Sequence, residues 1–174
     1  QARGERPRQD GLAYFPDVKP YQFQQEILAK LQAERELLGK RRHLVVAATG
    51  TGKTMVAAFD YRRLCRERGL RPSLLFVAHR DELLDQALGA YRTVLRDHAF
   101  GERLGGGHSA ESHDHLFATI QSLDRRDLIA AVGATRWDVV VVDEFHRAAA
   151  PTYRRLLDAL EPDPTVLIHP LDLS

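Results

Sequence analysis

Cysteine is almost missing from this 174-residue chain. Cys65 stands alone, so no intramolecular disulfide can form and a disulfide scaffold is excluded. The expected compartment is reducing and cytoplasmic. Long apolar runs are missing too: no stretch approaches the ~18 consecutive apolar residues of a membrane-spanning helix. Residues 1–10 are polar and basic, without the apolar segment of a secretory signal. An excess of one charge is also lacking. Twenty-five basic residues face 24 acidic ones for a net charge of +1, which argues neither for nor against nucleic acid. Lysine is scarce: Lys19, Lys30, Lys40 and Lys53 are the only four, and the other 21 basic residues are arginine. A codon bias towards arginine accounts for the split, yet it makes Lys53, inside a glycine-rich loop, conspicuous.

What is present suits a globular chain: 44% hydrophobic and 28% charged residues. A chain of this length buries roughly 70% of its unfolded surface and needs no staple. One domain, with or without a tail, is expected. Residues 1–19 read as a basic tail or linker, because Gly4, Pro7, Gly11 and Pro16 interrupt any element there. Residues 20–174 form the domain.

Apolar residues at helical spacing predict a helix over 21–38, stopped by Gly39. Further helices are expected over 53–68, 81–96, 122–132 and 151–160. Short apolar runs of buried-strand type cover 44–48, 73–78, 116–120, 138–142 and 165–168. Residues 102–112, with Gly105, Gly106 and Gly107, read as a loop or an irregular edge. Strands alternating with helices predict an α/β fold, a mostly parallel sheet with helices on both faces. Ligands bind such sheets beyond the carboxyl ends of the strands. The chemistry is therefore expected after Ala48, Ala78, Ile120 and Val142.

Ala47-Ala48-Thr49-Gly50-Thr51-Gly52-Lys53-Thr54 fits the phosphate-loop pattern with Ala47 in place of the first glycine. Gly50 and Gly52 let the backbone curl its N–H groups around an anion, and the helix behind them directs its positive end there. Lys53 can reach the β- and γ-phosphates of a nucleotide, and the Thr54 hydroxyl can coordinate Mg²⁺. The most apolar strand runs into Asp143-Glu144-Phe145-His146. An acid at the end of a buried strand, expected beside the phosphate-loop strand, suits a metal-holding role for Asp143 and a general-base role for Glu144. Helix capping is the structural alternative for both acids.

These two motifs together resemble motifs I and II of a superfamily 2 helicase, near the DEAH-type members, with Phe145 where many have Ala. The resemblance is greatest to bacterial DNA helicases related to the helicase subunit of type III restriction enzymes, and it covers residues 20 to about 161. It implies a RecA-like first motor domain that binds ATP and Mg²⁺, with DNA, single-stranded or duplex, as the partner. Thr49, Gly50, Thr51, Gly52, Lys53 and Thr54 would hold the nucleotide, and His146 would couple the site to the rest of the motor. Tyr21-Gln22-Phe23-Gln24-Gln25-Glu26 resembles the adenine-reading glutamine motif. Gln24 fits its spacing best and Gln22 second, and an amide can both donate to and accept from a base edge. Ala78-His79-Arg80-Asp81-Glu82 and Thr119-Ile120-Gln121-Ser122-Leu123 resemble the strand-contacting motifs. They place His79, Arg80, Thr119, Gln121 and Ser122 on nucleic acid. Arg80 could instead pair with Asp81 or Glu82, and Ser122 could cap a helix.

His108, His113 and His115 follow the glycines at a spacing that fits no zinc pattern, so a solvated loop is expected. Trp137 is expected to pack in the core near Val139. The resemblance also implies a Ser/Thr-Ala-Thr triplet after the strand at 165–168, where the chain has His169-Pro170-Leu171-Asp172. Neither that triplet nor a second RecA-like lobe with its arginine finger is found in these residues. The chain alone is therefore expected to be a poor ATPase. A nucleotide- or partner-binding module without turnover, and a small kinase, are the competing readings; the absence of arginine from the last 13 residues disfavours the kinase.

Overall fold

The computed structural model describes residues 16–39, 42–44, 52–128, 137–145, 150–159 and 165–170. Helix α1 (Gln22–Leu38) leads into β1 (Arg42–Leu44), α2 (Lys53–Arg68), β2 (Leu74–Ala78) and α3 (Asp81–Leu95). Then follow β3 (Glu102–Leu104), β4 (His115–Thr119), α4 (Ile120–Arg125), β5 (Val139–Phe145), α5 (Ala150–Ala159) and β6 (Thr165–Pro170). The strands form one six-stranded sheet in the order β1-β6-β5-β2-β4-β3. All five strand pairings are parallel. No helix among the described residues is long and apolar enough to cross a membrane.

The strands are apolar throughout because both faces are covered. Side chains alternate across a strand, and the two cores follow that alternation. Leu74, Phe76, Val139, Val141 and Phe117 point into the core shared with α2 and α3. Leu75, Val77, Val140, Val142 and Leu116 point into the other, with Trp137 and the α5 residues Tyr153 and Leu156. Trp137 is 2% exposed, and its indole donates to the His113 carbonyl at 2.9 Å, as a buried Trp N–H requires.

The structure corrects several sequence expectations. The segment read as a loop or irregular edge contains a short parallel edge strand, β3, paired to β4 with Glu102 opposite Leu116. His115 is not in a solvated loop: it opens β4, and its ring lies 4.8 Å from that of Phe100. The fourth helix begins at Ile120, two residues before the expected start. Strand β5 runs to Phe145, so Asp143 and Glu144 lie within the strand and not beyond it. Its strand is not beside the phosphate-loop strand either, because β6 lies between β5 and β1. The expected strand at 44–48 falls mostly outside the described residues, which hold Arg42–Leu44. The tail at 1–15 lies outside them too.

Candidate nucleotide site and strand groove

Gly52 is the N-cap of α2, at φ 76° and ψ 38°, where a side chain is strained. Space adds a second constraint: a Cβ at Gly52 would lie 2.8 Å from Gln24 Nε2. The Gly52 carbonyl accepts the Val56 N–H at 3.0 Å, starting the helix. Gln24 Nε2 donates to the same carbonyl at 3.4 Å, and Gln24 Oε1 accepts the Tyr21 N–H at 2.9 Å. One N–H and one oxygen lone pair of the amide remain. Gln24 is 3% exposed, whereas Gln22 is on the solvent side. Of the two candidate glutamines, the structure therefore brings Gln24 to the phosphate loop.

Lys53 and Thr54 open α2, whose first turn holds no acidic residue. A helix N-terminus of this kind suits an anion. Asp143 is 5% exposed and shares the face of Val139 and Val141 by the two-residue period, the face that α2 covers. Its strand lies two spacings from β1, about 9–10 Å, with β6 between them. The β5–β6 register shifts between Asp143 and Phe145, a local irregularity that re-aims side chains at the strand end. Thr54 and Asp143 together offer only oxygen donors, a set that fits a hard cation such as Mg²⁺. Thr49, Gly50, Thr51 and His146 lie outside the described residues, as does the side chain of Glu144.

The second feature lies further along the same carboxyl edge. Ala78 and Thr119 are register partners at the ends of β2 and β4, so the loops after them meet. They line a groove of about 830 Å³ that contains His79, Arg80, Thr119, Gln121 and Ser122, all five residues expected to touch nucleic acid. Gln121 Nε2 donates to the His79 carbonyl at 3.5 Å. The cap of α4 is Thr119, not Ser122: Thr119 Oγ1 accepts the Ser122 N–H at 3.2 Å and donates to Ser122 Oγ at 2.8 Å. Thr119 is thus committed to the fold, while Ser122 keeps its own hydroxyl proton. Arg80 is exposed and enters no ion pair among the described residues. Asp81 is instead held by Arg103 at 2.9 Å, and the same guanidinium reaches Asp85 at 2.6 Å.

Sequence reasoning missed several contributors to this groove, Gln86 among them. Arg125, in the last turn of α4, and Gly106 both line it. Gly105 packs beneath, where a Cβ would lie 2.8 Å from Ser122 Oγ. Three consecutive glycines, Gly105 to Gly107, were the available signal for a close backbone approach.

Comparison with known proteins agrees with this geometry. The family model for the type III restriction enzyme, res subunit, matches residues 17–168. Over 141 residues the chain is 30% identical to irc3 of Schizosaccharomyces pombe, provisionally named a mitochondrial ATP-dependent helicase; the match spans 81% of this chain and 23% of that one. Over 134 residues it is 33% identical to the type I restriction enzyme EcoKI endonuclease subunit of Escherichia coli, spanning 72% of this chain and 11% of the relative. The crystal structure of the UvsW helicase from bacteriophage T4 shares the fold, with a TM-score of 0.68 at 17% identity, over 90% of this chain and 54% of that one. The chain thus spans less than a quarter of the curated relatives it matches. The parallel sheet, the capped phosphate-loop helix and the family match together make this chain a member of the type III restriction enzyme res-subunit family, with the fold of a superfamily 2 helicase motor domain.

Proposed function

We propose that this chain is the ATP-binding motor lobe of an ATP-dependent DNA helicase or translocase. It would hydrolyse ATP once a second RecA-like lobe completes the site. One observation carries the reading: the phosphate-loop helix and the Arg80 groove open on the same carboxyl edge of one sheet. Residues 1–19 would link this lobe to a preceding segment.

Gly50, Thr51 and Gly52 would curl backbone N–H groups around the phosphates, with Thr49 completing the loop, and Lys53 would neutralise the β- and γ-oxygens. The two free positions of the Gln24 amide suit the edge of an adenine. Thr54 and Asp143 would hold Mg²⁺, which supplies charge neutralisation on the phosphates when bound. Glu144 would orient the attacking water and accept its proton. His146, directly after the acids, would relay the state of the nucleotide to the rest of the motor. In the groove, Arg80 and Arg125 suit backbone phosphates, while His79, Gln121 and Ser122 suit sugar and phosphate oxygens. DNA is the proposed strand because a protein of similar fold, the ATP-dependent type ISP restriction-modification enzyme LlaBIII, has been solved bound to DNA. The lone Cys65 fits a reducing compartment, and we place the protein in the cytoplasm.

Titration with Mg-ATP tests this reading. Wild type should bind, Lys53→Ala should lose binding, and Glu144→Gln should bind normally while abolishing turnover. Equal binding by wild type and Lys53→Ala would overturn the phosphate-loop assignment. The competing reading is a nucleotide- or partner-binding module without turnover. Hydrolysis stimulated by DNA would exclude it.

A further inference from the structure

Asp60, in the middle of α2, is 3% exposed yet charged. Arg35 of α1 grips it with a two-pronged fork, Nη1 to Oδ1 at 2.7 Å and Nη2 to Oδ2 at 2.6 Å. Arg63 adds a bond to Oδ1 at 2.7 Å and reaches back to α1, donating to the Leu28 carbonyl at 2.7 Å and to Gln32 Oε1 at 3.2 Å. Burying such a cluster rarely stabilises a fold more than apolar packing would, and its best-attested use is to fix geometry. Its place in the fold shows which geometry. Gln24 and Arg35 are eleven residues apart, about three turns, so both lie on the face of α1 that meets α2. Helix α1 is therefore tied to α2 at its Gln24 end and through the Asp60–Arg35–Arg63 cluster, whose Arg63 also bonds Leu28 and Gln32 directly. The first tie is the single 3.4 Å amide bond from Gln24 to Gly52 at the phosphate loop. Between the two ties Ile27, Leu28 and Leu31 pack against the core, and the Leu28 carbonyl accepts from Arg63 of the cluster at 2.7 Å.

We propose that Asp60 is a positioning residue for nucleotide selectivity. By locking α1 to α2 through Arg35 and Arg63, it holds the Gln24 amide at the phosphate loop. Base recognition and phosphate binding then share one rigid frame. This inference rests on the reading of Gln24 and Lys53 given above.

The test is calorimetric titration of wild type, Asp60→Asn and Arg35→Lys with Mg-ATP, Mg-GTP and Mg-tripolyphosphate, the last having no base. Losing one amide-to-base hydrogen bond costs about 0.5–1.5 kcal/mol, so Asp60→Asn is expected to weaken ATP by roughly three- to tenfold. GTP and tripolyphosphate should change less than about twofold, because Lys53 and α2 still hold the phosphates. Arg35→Lys keeps the charge but loses the fork, and should give a smaller loss in the same direction. A purely structural role would lower the melting temperature of both variants and leave the ATP-to-GTP ratio as in wild type, which would overturn the proposal. Should Asp60→Asn fail to fold, Arg35→Lys decides by the same ratio. Wild type that binds tripolyphosphate without preferring ATP to GTP would also overturn the proposal, while leaving the phosphate-loop assignment standing. Wild type that binds none of the three would overturn both.

Discussion

Gly52 carries two demands in one residue, a left-handed backbone and a carbonyl shared by Val56 and Gln24. Gly52→Ala should therefore cost about 1–3 kcal/mol in denaturant unfolding and weaken Mg-ATP at the same time. The motif marked this glycine, but not its contact with Gln24. Two glutamines two positions apart differ only in which side of α1 they occupy, and that is set by packing on α2. His115 is a second single-residue case. Burial pushes its pKa below the usual 6.5. The unfolded chain therefore takes up a proton before the folded one does. Stability is full above pH 6.5 and should fall as the pH drops below it. Thermal melts from pH 7.5 to 5.5 should show this fall, and His115→Phe should flatten it. Nothing in the sequence told this half-buried histidine from the exposed His108, because the start of β4 at His115 is set by its pairing with β2.

Elements were legible in kind and less so at their ends. Helix α4 starts at Ile120 because the Thr119 hydroxyl takes the Ser122 N–H, a choice between two hydroxyl residues three positions apart that local propensity cannot make. Strand β5 outruns its apolar residues because β6 continues the ladder alongside Asp143. Strand β3 was hidden by the glycines that follow it, and the far side of that loop is anchored by one side chain. The Glu102 carboxylate accepts the N–H of Glu111 at 2.6 Å, that of Ser112 at 3.0 Å and that of His113 at 3.2 Å. These bonds, the one from Glu111 foremost, hold its pKa below the usual 4.5. The anchor is thus intact above pH 4.5 and is lost as the pH falls through the lower, folded value. Glu102→Gln should speed amide exchange at Glu111, Ser112 and His113 near neutral pH, with little change in global stability. Unchanged exchange there would show that the loop is held elsewhere.

At the scale of the molecule, the chain spans 23% of one curated relative and 11% of another. An arginine finger supplied by another unit is worth about 10³–10⁵ in rate in related phosphate-transfer enzymes. The chain by itself should then bind Mg-ATP with turnover at least about a thousandfold below that of a complete motor of this family. Phosphate release measured with and without single-stranded DNA checks this; full turnover by the chain alone would remove the need for a second lobe.

The amino-acid sequence by itself determined the α/β class, and it marked the phosphate-loop, acidic and groove residues as candidates through their resemblance to helicase motifs. Each of these is written in local pattern: alternation of apolar runs, glycines at fixed offsets, and polar residues directly after strands. Only the tertiary structure decided which glutamine meets Gly52, that β6 separates Asp143 from β1, that Arg103 takes Asp81 and leaves Arg80 exposed, and that Asp60 ties α1 to α2. All four are contacts between residues distant in the chain. They depend on which strands are neighbours and how helices cross, quantities that no window of local sequence contains.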